Sequence, residues 1–535
     1  MPEASRPLIT SHARAEAVAR PAREPASAGY GVSLADHEIG GRRRAQNALA
    51  RRLYPALHAV TLACSRLGFR EAGERTGLAS ERTGLASERA GLAGERAGLA
   101  GERAGLVIAT SAADRHAVAR SPQVFLPPIT ESAAQRARRL DVLLAVSRFV
   151  SGGLAQDVAV MLGTRGPELC LPGDCGLTPL AVARLFIDSG RADAMVVVCV
   201  DPRAGDPGRH EAVAVVVERT AAAGIAVPSL SAALSTDTAA CVPAIGTYLA
   251  GGPGDRRTDA PGPPGIDCTI RWAAPAAPEP VDIGDFVDRG RRLLDESLRA
   301  AGSRELGVVV ASLLDLSPEH ALAAIERGAA PPEVAGEAGR MTFAGGLRQH
   351  HVDRGLRGPY IAVTGIPGAS LLSLAIAEDL ISQGVVPAVA VIAGDWVGAG
   401  ATRALAVLDC PDRPYLRSSV SALVLGPAGG QAGGRRIRSL VARRDACDDF
   451  GAELSAHAPD DTSASGCTGE DLAAALAFIG RSSLPAAPVG PSLSRFLGAD
   501  ALARVSGSLG LPGRAAVSVR NALGGSGVVL LGAPR

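Results

Sequence analysis

The stretch that decides the fold is residues 162–201, LGTRGPELCLPGDCGLTPLAVARLFIDSGRADAMVVVCVD. Within it, the amphipathic segment Leu177 to Ser189 predicts a helix, and the apolar run Met195 to Val200 predicts a buried strand. Another apolar, β-branched run, Val107 to Thr110, precedes the stretch. Strands that alternate with helices in this way favour a parallel sheet whose crossover helices cover both faces.

The same order of motifs recurs downstream at a nearly constant offset. Gly163 and Gly355 are 192 residues apart, and Gly190 and Gly384 are 194 apart. The second series of elements consists of the strand Leu306 to Ser312, the helix Leu371 to Ser382 and the strand Ala388 to Ala393. An offset that holds over about 100 residues indicates a duplicated strand-helix-strand unit.

Each copy ends in one more apolar strand, Ala212 to Glu218 in the first and Val420 to Leu425 in the second. We therefore predict an α/β protein with a layered α/β/α/β/α arrangement. Aromatic residues make up only 3% of the chain. The core must therefore consist mainly of Ala, Val, Leu and Ile.

Composition excludes several chemistries. The 535 residues contain no lysine, so all 55 basic residues are arginine. A phosphate-binding P-loop and a Schiff-base enzyme both require a lysine amine and are excluded. The net charge of +1 gives no reason to expect nucleic acid or an anionic membrane as a partner.

The nine cysteines contain no CxxC pair and no zinc-type spacing, which predicts a reduced, cytoplasmic protein without a bound metal or other cofactor. No apolar run approaches the roughly 20 residues of a membrane span. The N-terminus lacks the pattern of a secretory signal. We predict a disordered leader over residues 1–42, because they are rich in Ala, Pro, Arg and Ser.

Five copies of a seven-residue unit begin with ERTGLAS at Glu74, and the last, ERAGLVI, ends at Ile108; the inserted segment is predicted over residues 74–106. Each copy has a single leucine and a glycine, whereas a coiled-coil seam needs two apolar positions per heptad and disfavours glycine. We therefore interpret the repeat as an inserted surface segment that leads into a strand.

The motifs L-G-T-R-G-P at Leu162–Pro167, G-L-T at Gly176–Thr178 and S-G-R-A-D-A at Ser189–Ala194 resemble the nucleophile-bearing segment of the β-ketoacyl synthases, the condensing enzymes of the thiolase superfamily. The C-terminal stretch Val517 to Ser526, followed by an apolar run, is similar to the closing glycine-rich loop and last strand of that family. The resemblance implies a thiolase-like fold and an acyltransferase mechanism that uses a cysteine nucleophile assisted by two histidines.

Matching these motifs places the cysteine of the family at Gly173 in the first copy and at Pro367 in the second, and neither residue can be a nucleophile. Cys175 lies two positions further on. Two positions along a helix rotate a side chain by about 200°. Cys175 is therefore either a shifted nucleophile or a small buried thiol whose sulfur points elsewhere.

His457 resembles the first histidine motif of the family in an eroded form, and it is the candidate partner of Cys175. The next motif normally contains a lysine followed by a histidine, but the chain has no lysine and no histidine after His457. Gly524 and Gly525 form either an oxyanion-type turn or an ordinary tight turn.

The predicted organisation assigns residues 43–220 to a degenerate ketosynthase N-terminal-type half, 221–284 to a connector rich in Pro, Gly and Ala, and 285–430 to a second half of the same type. Residues 431–535 are predicted to form a degenerate C-terminal-type half. The duplication leaves two assemblies open, a homodimer or an internal pseudo-dimer.

The resemblance implies a role in polyketide or fatty-acid type biosynthesis. Because both nucleophile positions are replaced, we predict a chain-length-factor-like protein that does not condense by itself, with an active ketosynthase and an acyl carrier protein as partners. Two alternatives remain open at this point. One is an active acyltransferase that uses Cys175 with His457, and the other is a pseudo-enzyme without any acyl function.

Overall fold

In a computed structural model, the chain forms two mixed β-sheets covered by helices. The structure describes residues 6–18, 104–110, 166–172, 175–203, 206–220, 225–234, 240–250, 268–275, 279–312, 316–329, 342–364, 369–407, 418–428, 435–443, 515–520 and 525–531, with single residues or short groups within 59–67, 155–164 and 502–509. The statements below concern these residues.

The first sheet has six strands in the order β3-β2-β4-β5-β1-β6. Its strands are β1 (Arg6–Val18), β2 (Ala104–Thr110), β3 (Glu168–Pro172), β4 (Ala194–Arg203), β5 (Asp206–Thr220) and β6 (Ile225–Ala226). The helices of this half are α1 (Thr178–Asp188), α2 (Leu230–Leu234) and α3 (Cys241–Ala250).

The second sheet has eight strands in the order β13-β14-β12-β7-β11-β10-β8-β9. Its strands are β7 (Cys268–Ala273), β8 (Gly307–Ser312), β9 (Tyr360–Thr364), β10 (Val389–Asp395), β11 (Ser419–Pro427), β12 (Arg435–Arg443), β13 (Ala515–Arg520) and β14 (Gly525–Leu531). Its helices are α4 (Ile283–Ala301), α5 (Ser317–Glu326), α6 (Phe343–Asp353), α7 (Ala369–Ser382) and α8 (Ala399–Val407).

The predicted duplication is confirmed by the order of the strands. The first sheet contains the series β3-β2-β4-β5-β1, and the second contains β9-β8-β10-β11-β7. In each series the first three strands are parallel and the remaining two pairings are antiparallel. The predicted α/β fold class is therefore also confirmed, with two related units that each contribute five strands.

Two boundary predictions are wrong, and for the same reason. Arg6–Val18 lies in the predicted disordered leader, yet it forms β1 and pairs with β5 along its length. Cys268–Ala273 lies in the predicted connector, yet it forms β7 between β11 and β12. Each is the first strand of its unit, and each lies in a region whose overall composition is typical of loops. Cys241–Ala250 of the connector is also structured, because it buries Cys241 and Val242 in helix α3.

The predicted surface insertion at 74–106 lies outside the described residues except for its end. Ala104, Gly105 and Leu106 begin β2 and are buried. The repeat therefore leads directly into a central strand of the first sheet, as its apolar last copy predicts.

Local sequence explains where the helices begin and end. Helix α4 begins after Asp282, whose Oδ1 accepts a hydrogen bond from the backbone N–H of Asp285 at 2.8 Å, and it ends at Gly302 with φ 66°. Helix α6 begins after Thr342, whose hydroxyl oxygen accepts a bond from the N–H of Gly345. Helix α1 has Pro179 in its first turn, where the missing N–H costs nothing.

Glycines at matching positions let a neighbouring strand approach in both units. Gly166 precedes β3 and Gly358 precedes β9, 192 residues later. A methyl group on Gly166 would lie 2.8 Å from the carbonyl carbon of Ala104, and one on Gly358 would overlap the carbonyl oxygen of Leu306. Only glycine fits at either position, which is a second physical sign of the duplication.

The helices α1 and α7 pack against each other, each lying on the sheet of its own unit. One hydrophobic cluster contains residues of both helices and of both sheets. At its edge the Arg191 guanidinium, which follows α1, binds two carboxylates of α7. Its Nε lies 2.9 Å from Oδ2 of Asp379, and its Nη2 lies 3.1 Å from Oε2 of Glu378.

These three charged groups are largely removed from water, with side-chain exposures of 15% for Arg191, 8% for Glu378 and 4% for Asp379. Burial raises the pKa of Asp379 to about 6, although the Arg191 charge acts in the opposite direction. The first unit therefore supplies the cation of this buried cluster and the second unit supplies both carboxylates.

No described helix combines the length and the apolar composition that crossing a membrane requires.

Candidate functional site

The turn between β3 and α1 is the place where the sequence predicts the chemistry of the first unit. Strand β3 ends at Pro172, and α1 begins at Thr178. Gly176 has a φ of 53°, a conformation that favours glycine. The N–H of Thr178 donates to the carbonyl oxygen of Cys175 at 2.9 Å. The chain thus reverses at Gly176 and starts the helix with Cys175 immediately before it.

Cys175 lies in the core beside two cysteines that are distant in sequence. Its Sγ lies 3.4 Å from Sγ of Cys241, the first residue of α3. Cys241 also forms a side-chain hydrogen bond with Cys199, which lies on β4. Cys199 and Cys241 have no exposed surface, whereas Cys175 retains 9% of its own. We refer to Cys175, Cys199 and Cys241 as the three-thiol cluster.

The hydrogen bonds within the cluster distinguish its members chemically. Hydrogen bonds from the Cys175 and Cys199 thiols lower the pKa of Cys241 well below its usual value, and the backbone N–H groups of Cys175 and Gly176 act in the same direction against the effect of burial. Burial raises the pKa of Cys199 well above its usual value, and its bond to Cys241 adds to the shift. Cys241 is therefore the thiol that ionises first.

Asp201 lies on β4 two residues beyond Cys199 and has only 4% of its surface exposed. Its Oδ2 accepts a hydrogen bond of 2.7 Å from the N–H of Val242 in the first turn of α3. A carboxylate at this position compensates the positive end of the helix. Asp201 thus fixes the start of α3, and with it the position of Cys241.

Other buried thiols of the first unit are inert by comparison. Burial raises the pKa of Cys64 and of Cys170 to about 12.

Among the described residues, no group of three or more His, Cys, Asp or Glu side chains is arranged to hold a metal ion. Two histidines are adjacent on α6, His350 and His351, and they face different neighbours. Nε2 of His350 lies 2.9 Å from Oδ1 of Asp295, whereas His351 is buried against the ring of Tyr360.

The other predicted site residues are placed only in part. Gly173, Pro367, His457 and Gly524 lie outside the described residues. Gly525 is the first residue of β14 and pairs with Arg443 of β12. The pairing of Cys175 with His457 is untested and stays a prediction.

Several solved structures of condensing enzymes are similar to the chain. The structure of the PfaC ketosynthase-chain length factor matches with 10% identity and a TM-score of 0.49, over 81% of this chain and 80% of that one. The type II PKS structure AntDE:AntF, an acyl-carrier protein in complex with its ketosynthase, matches with 11% identity and a TM-score of 0.37, over 46% of this chain and 82% of that one. The 3-oxoacyl-(acyl carrier protein) synthase III of Pseudomonas aeruginosa matches with 14% identity and a TM-score of 0.28, over 50% of this chain and 99% of that one.

The kind of protein found agrees with the resemblance that the motifs predict, but each of these TM-scores is below 0.5. The fold that the structure itself shows is two mixed α/β sheets with a repeated strand order. No family model matches the sequence, and no curated protein matches it either. Identities of 10–14% concern the fold alone and say nothing of substrate or activity.

The sequence singles out Cys175 as a candidate, but it does not indicate that Cys199 and Cys241 lie beside it. Cys199 lies inside an apolar strand, and Cys241 lies in a segment predicted to be a connector. The alternation of β4 carries one signal, since Met195, Val197 and Cys199 share the face that packs on α1. Nothing in the sequence places Cys241 on that face.

Proposed function

We propose that this ketosynthase-like protein does not condense acyl groups by itself and acts as a chain-length-factor-like partner of an active ketosynthase. The observation that carries the proposal is the loss of the nucleophile in both units. In the sequence, Gly173 and Pro367 stand at the positions that resemble the cysteine site of the family. The missing lysine and the missing second histidine support the same conclusion.

The environment of Cys175 also supports this proposal. Its thiol hydrogen-bonds Cys241, and its side chain belongs to the hydrophobic cluster beneath the turn. A nucleophile that accepts an acyl group from a carrier needs an open approach to its sulfur. The Cys175 sulfur lies in the core and is hydrogen-bonded to the Cys241 thiol, so it is poorly placed for that reaction.

Co-expression with an active ketosynthase and an acyl carrier protein tests the role. We expect the chain to co-purify with the ketosynthase and to change the length of the acyl product, because a partner of this kind shapes the acyl tunnel. The measurements are size-exclusion chromatography of the complex and mass spectrometry of the product. No association, together with an unchanged product, would reject the proposal.

The alternative, an acyltransferase that uses Cys175 with His457, makes a different prediction for the isolated chain. Incubation with acyl-thioesters would then add an acyl mass to the peptide containing Cys175, and Cys175→Ala would abolish it. We expect that peptide to remain unmodified. An acyl adduct on Cys175 would favour the alternative over the partner role.

A further inference from the structure

The three-thiol cluster has no part in the proposed partner role, and its geometry suits a different chemistry. The Sγ atoms of Cys175 and Cys241 are 3.4 Å apart, while a disulfide bond is about 2.05 Å long. Closing that gap requires the two sulfurs to approach by about 1.4 Å. Cys175 precedes α1 in a turn rather than lying inside the helix, so its side chain can move without breaking a helical hydrogen bond.

We propose that Cys175 and Cys241 form a reversible disulfide when the protein meets hydrogen peroxide, which makes the three-thiol cluster a redox-responsive site. Burial limits the size of the oxidant. Cys241 has no exposed surface and Cys175 has 9%, so a molecule as small as hydrogen peroxide fits the site better than a bulky disulfide reagent.

The two cysteines take different parts in the reaction. Cys241 is the attacking sulfur, because the thiols and the backbone N–H groups around it stabilise its thiolate. Its sulfur attacks one peroxide oxygen and the O–O bond breaks. The hydroxide that leaves takes up the proton released by the thiol, giving water and a sulfenic acid on Cys241.

Cys175 then resolves the sulfenic acid. Its sulfur attacks the sulfur of Cys241, the S–O bond breaks, and the departing hydroxide leaves as water with the proton of Cys175. Overall, two thiols are oxidised to one disulfide and one peroxide is reduced to two waters. Cys199 is the weaker resolving group, because burial holds its sulfur in the protonated form.

The bond would join two elements that are 66 residues apart in the chain, the turn before α1 and the start of α3. Both elements pack on β4. Oxidation would therefore hold the turn before α1 against the start of α3. Helix α1 is the helix that contacts α7 of the second unit.

The test uses the purified full-length chain, reduced and then freed of reductant. It is exposed to a small excess of hydrogen peroxide, unfolded in a denaturant that contains N-ethylmaleimide to block the remaining thiols, and digested without reduction for mass spectrometry. We expect one cross-linked peptide pair containing Cys175 and Cys241, which disappears on treatment with dithiothreitol. Absence of this pair, or Cys199 joined to Cys241 as the main product, would overturn the assignment.

Two variants separate the roles of the sulfurs. Cys241→Ser should abolish peroxide-dependent loss of thiols in the cluster, whereas the matched control Cys64→Ser, a buried thiol on the opposite side of the first sheet, should leave the cross-link unchanged. In Cys175→Ser the sulfenic acid of Cys241 should persist and react with dimedone that is added together with a denaturant. If Cys241→Ser does not fold, the cross-linked peptide of the unmodified chain decides alone, and its absence rejects the proposal.

Discussion

The two units share a strand order but differ at the turn that leads into the central helix. In the first unit, Cys175 and Gly176 lie in a turn ahead of α1. The position 194 residues after Cys175 is Ala369, where α7 has already begun, and the position 194 residues after Cys199 is Ala393. Both alanines are fully buried.

The comparison separates the residues that strand pairing fixes in both units from the residues that differ between the units. Strand pairing fixes β4 and β10 in the same place in both units, because each is central and buried on both faces. Outside the strands the two units need not match. Cys175 and Cys199 accordingly correspond to the buried Ala369 and Ala393 of the second unit.

The largest effect is expected where the two units meet. Arg191→Met removes the cation and leaves Glu378 and Asp379 buried beside each other, which should lower the free energy of unfolding by about 3–5 kcal/mol at pH 7. Chemical denaturation measures the change. Arg299→Ala is the control, because that side chain is 76% exposed, and it should alter stability by less than about 0.5 kcal/mol. Equal effects of the two substitutions would mean that the buried cluster does not join the units.

The same cluster makes stability depend on pH. The pKa of Asp379 is about 6 in the folded protein and 3.8 in a free side chain, so the folded state holds the proton more tightly. The contribution of this group to stability is therefore complete below pH 4 and is lost as the pH rises through 6. Relative to Asp379→Asn, the unmodified protein should lose about 2–2.5 kcal/mol between pH 4 and pH 7. A gain over this range would show that Arg191 keeps the carboxylate ionised.

The matched glycines test whether the units are equivalent in packing. Gly166→Ala and Gly358→Ala should each cost about 1–3 kcal/mol, with the larger loss at Gly358, where the added methyl group overlaps the Leu306 carbonyl oxygen. Thermal denaturation followed by circular dichroism measures both. Gly246→Ala in α3 is the control. Its nearest neighbour is 3.9 Å away, and it should stabilise the protein by up to about 1 kcal/mol. A neutral Gly358→Ala would contradict the close approach of β8 and β9.

The smallest change in stability is expected at the start of α3, the helix that carries Cys241 and belongs to the first unit. Asp201→Ala removes the acceptor for the N–H of Val242 and should cost about 1 kcal/mol. Asp288→Ala, at an exposed position on α4, should change stability by less than about 0.5 kcal/mol. If both variants unfold at the same denaturant concentration, Asp201 does not hold the start of α3.

The central elements of the fold were predictable because their sequence patterns are local. The apolar runs that became β4 and β10, and the amphipathic segments that became α1 and α7, were found within a few residues of their observed ends. The first strands β1 and β7 were missed. Their residues became strands by pairing with β5 and β11, and no local pattern in an Arg-rich or Gly-rich region reveals such distant partners.

The candidate site was predictable to a lesser extent. The absence of cysteine at residues 173 and 367 is a property of the sequence and needs no coordinates. The contact between Cys175 and Cys241 depends on how α3 packs against β4, which a one-dimensional pattern cannot express. The difference in acidity between the thiols depends in turn on that contact.

The position of β1 also determines when the first sheet can assemble during synthesis. Ala13 pairs with Ala214, so β1 is completed by a strand that is made about 200 residues later. At about 5–20 residues per second, the delay is about 10–40 s. An early strand that stays exposed for this time is open to pairing with other chains. A chaperone that shields residues 6–18 during translation should therefore raise the yield of folded protein.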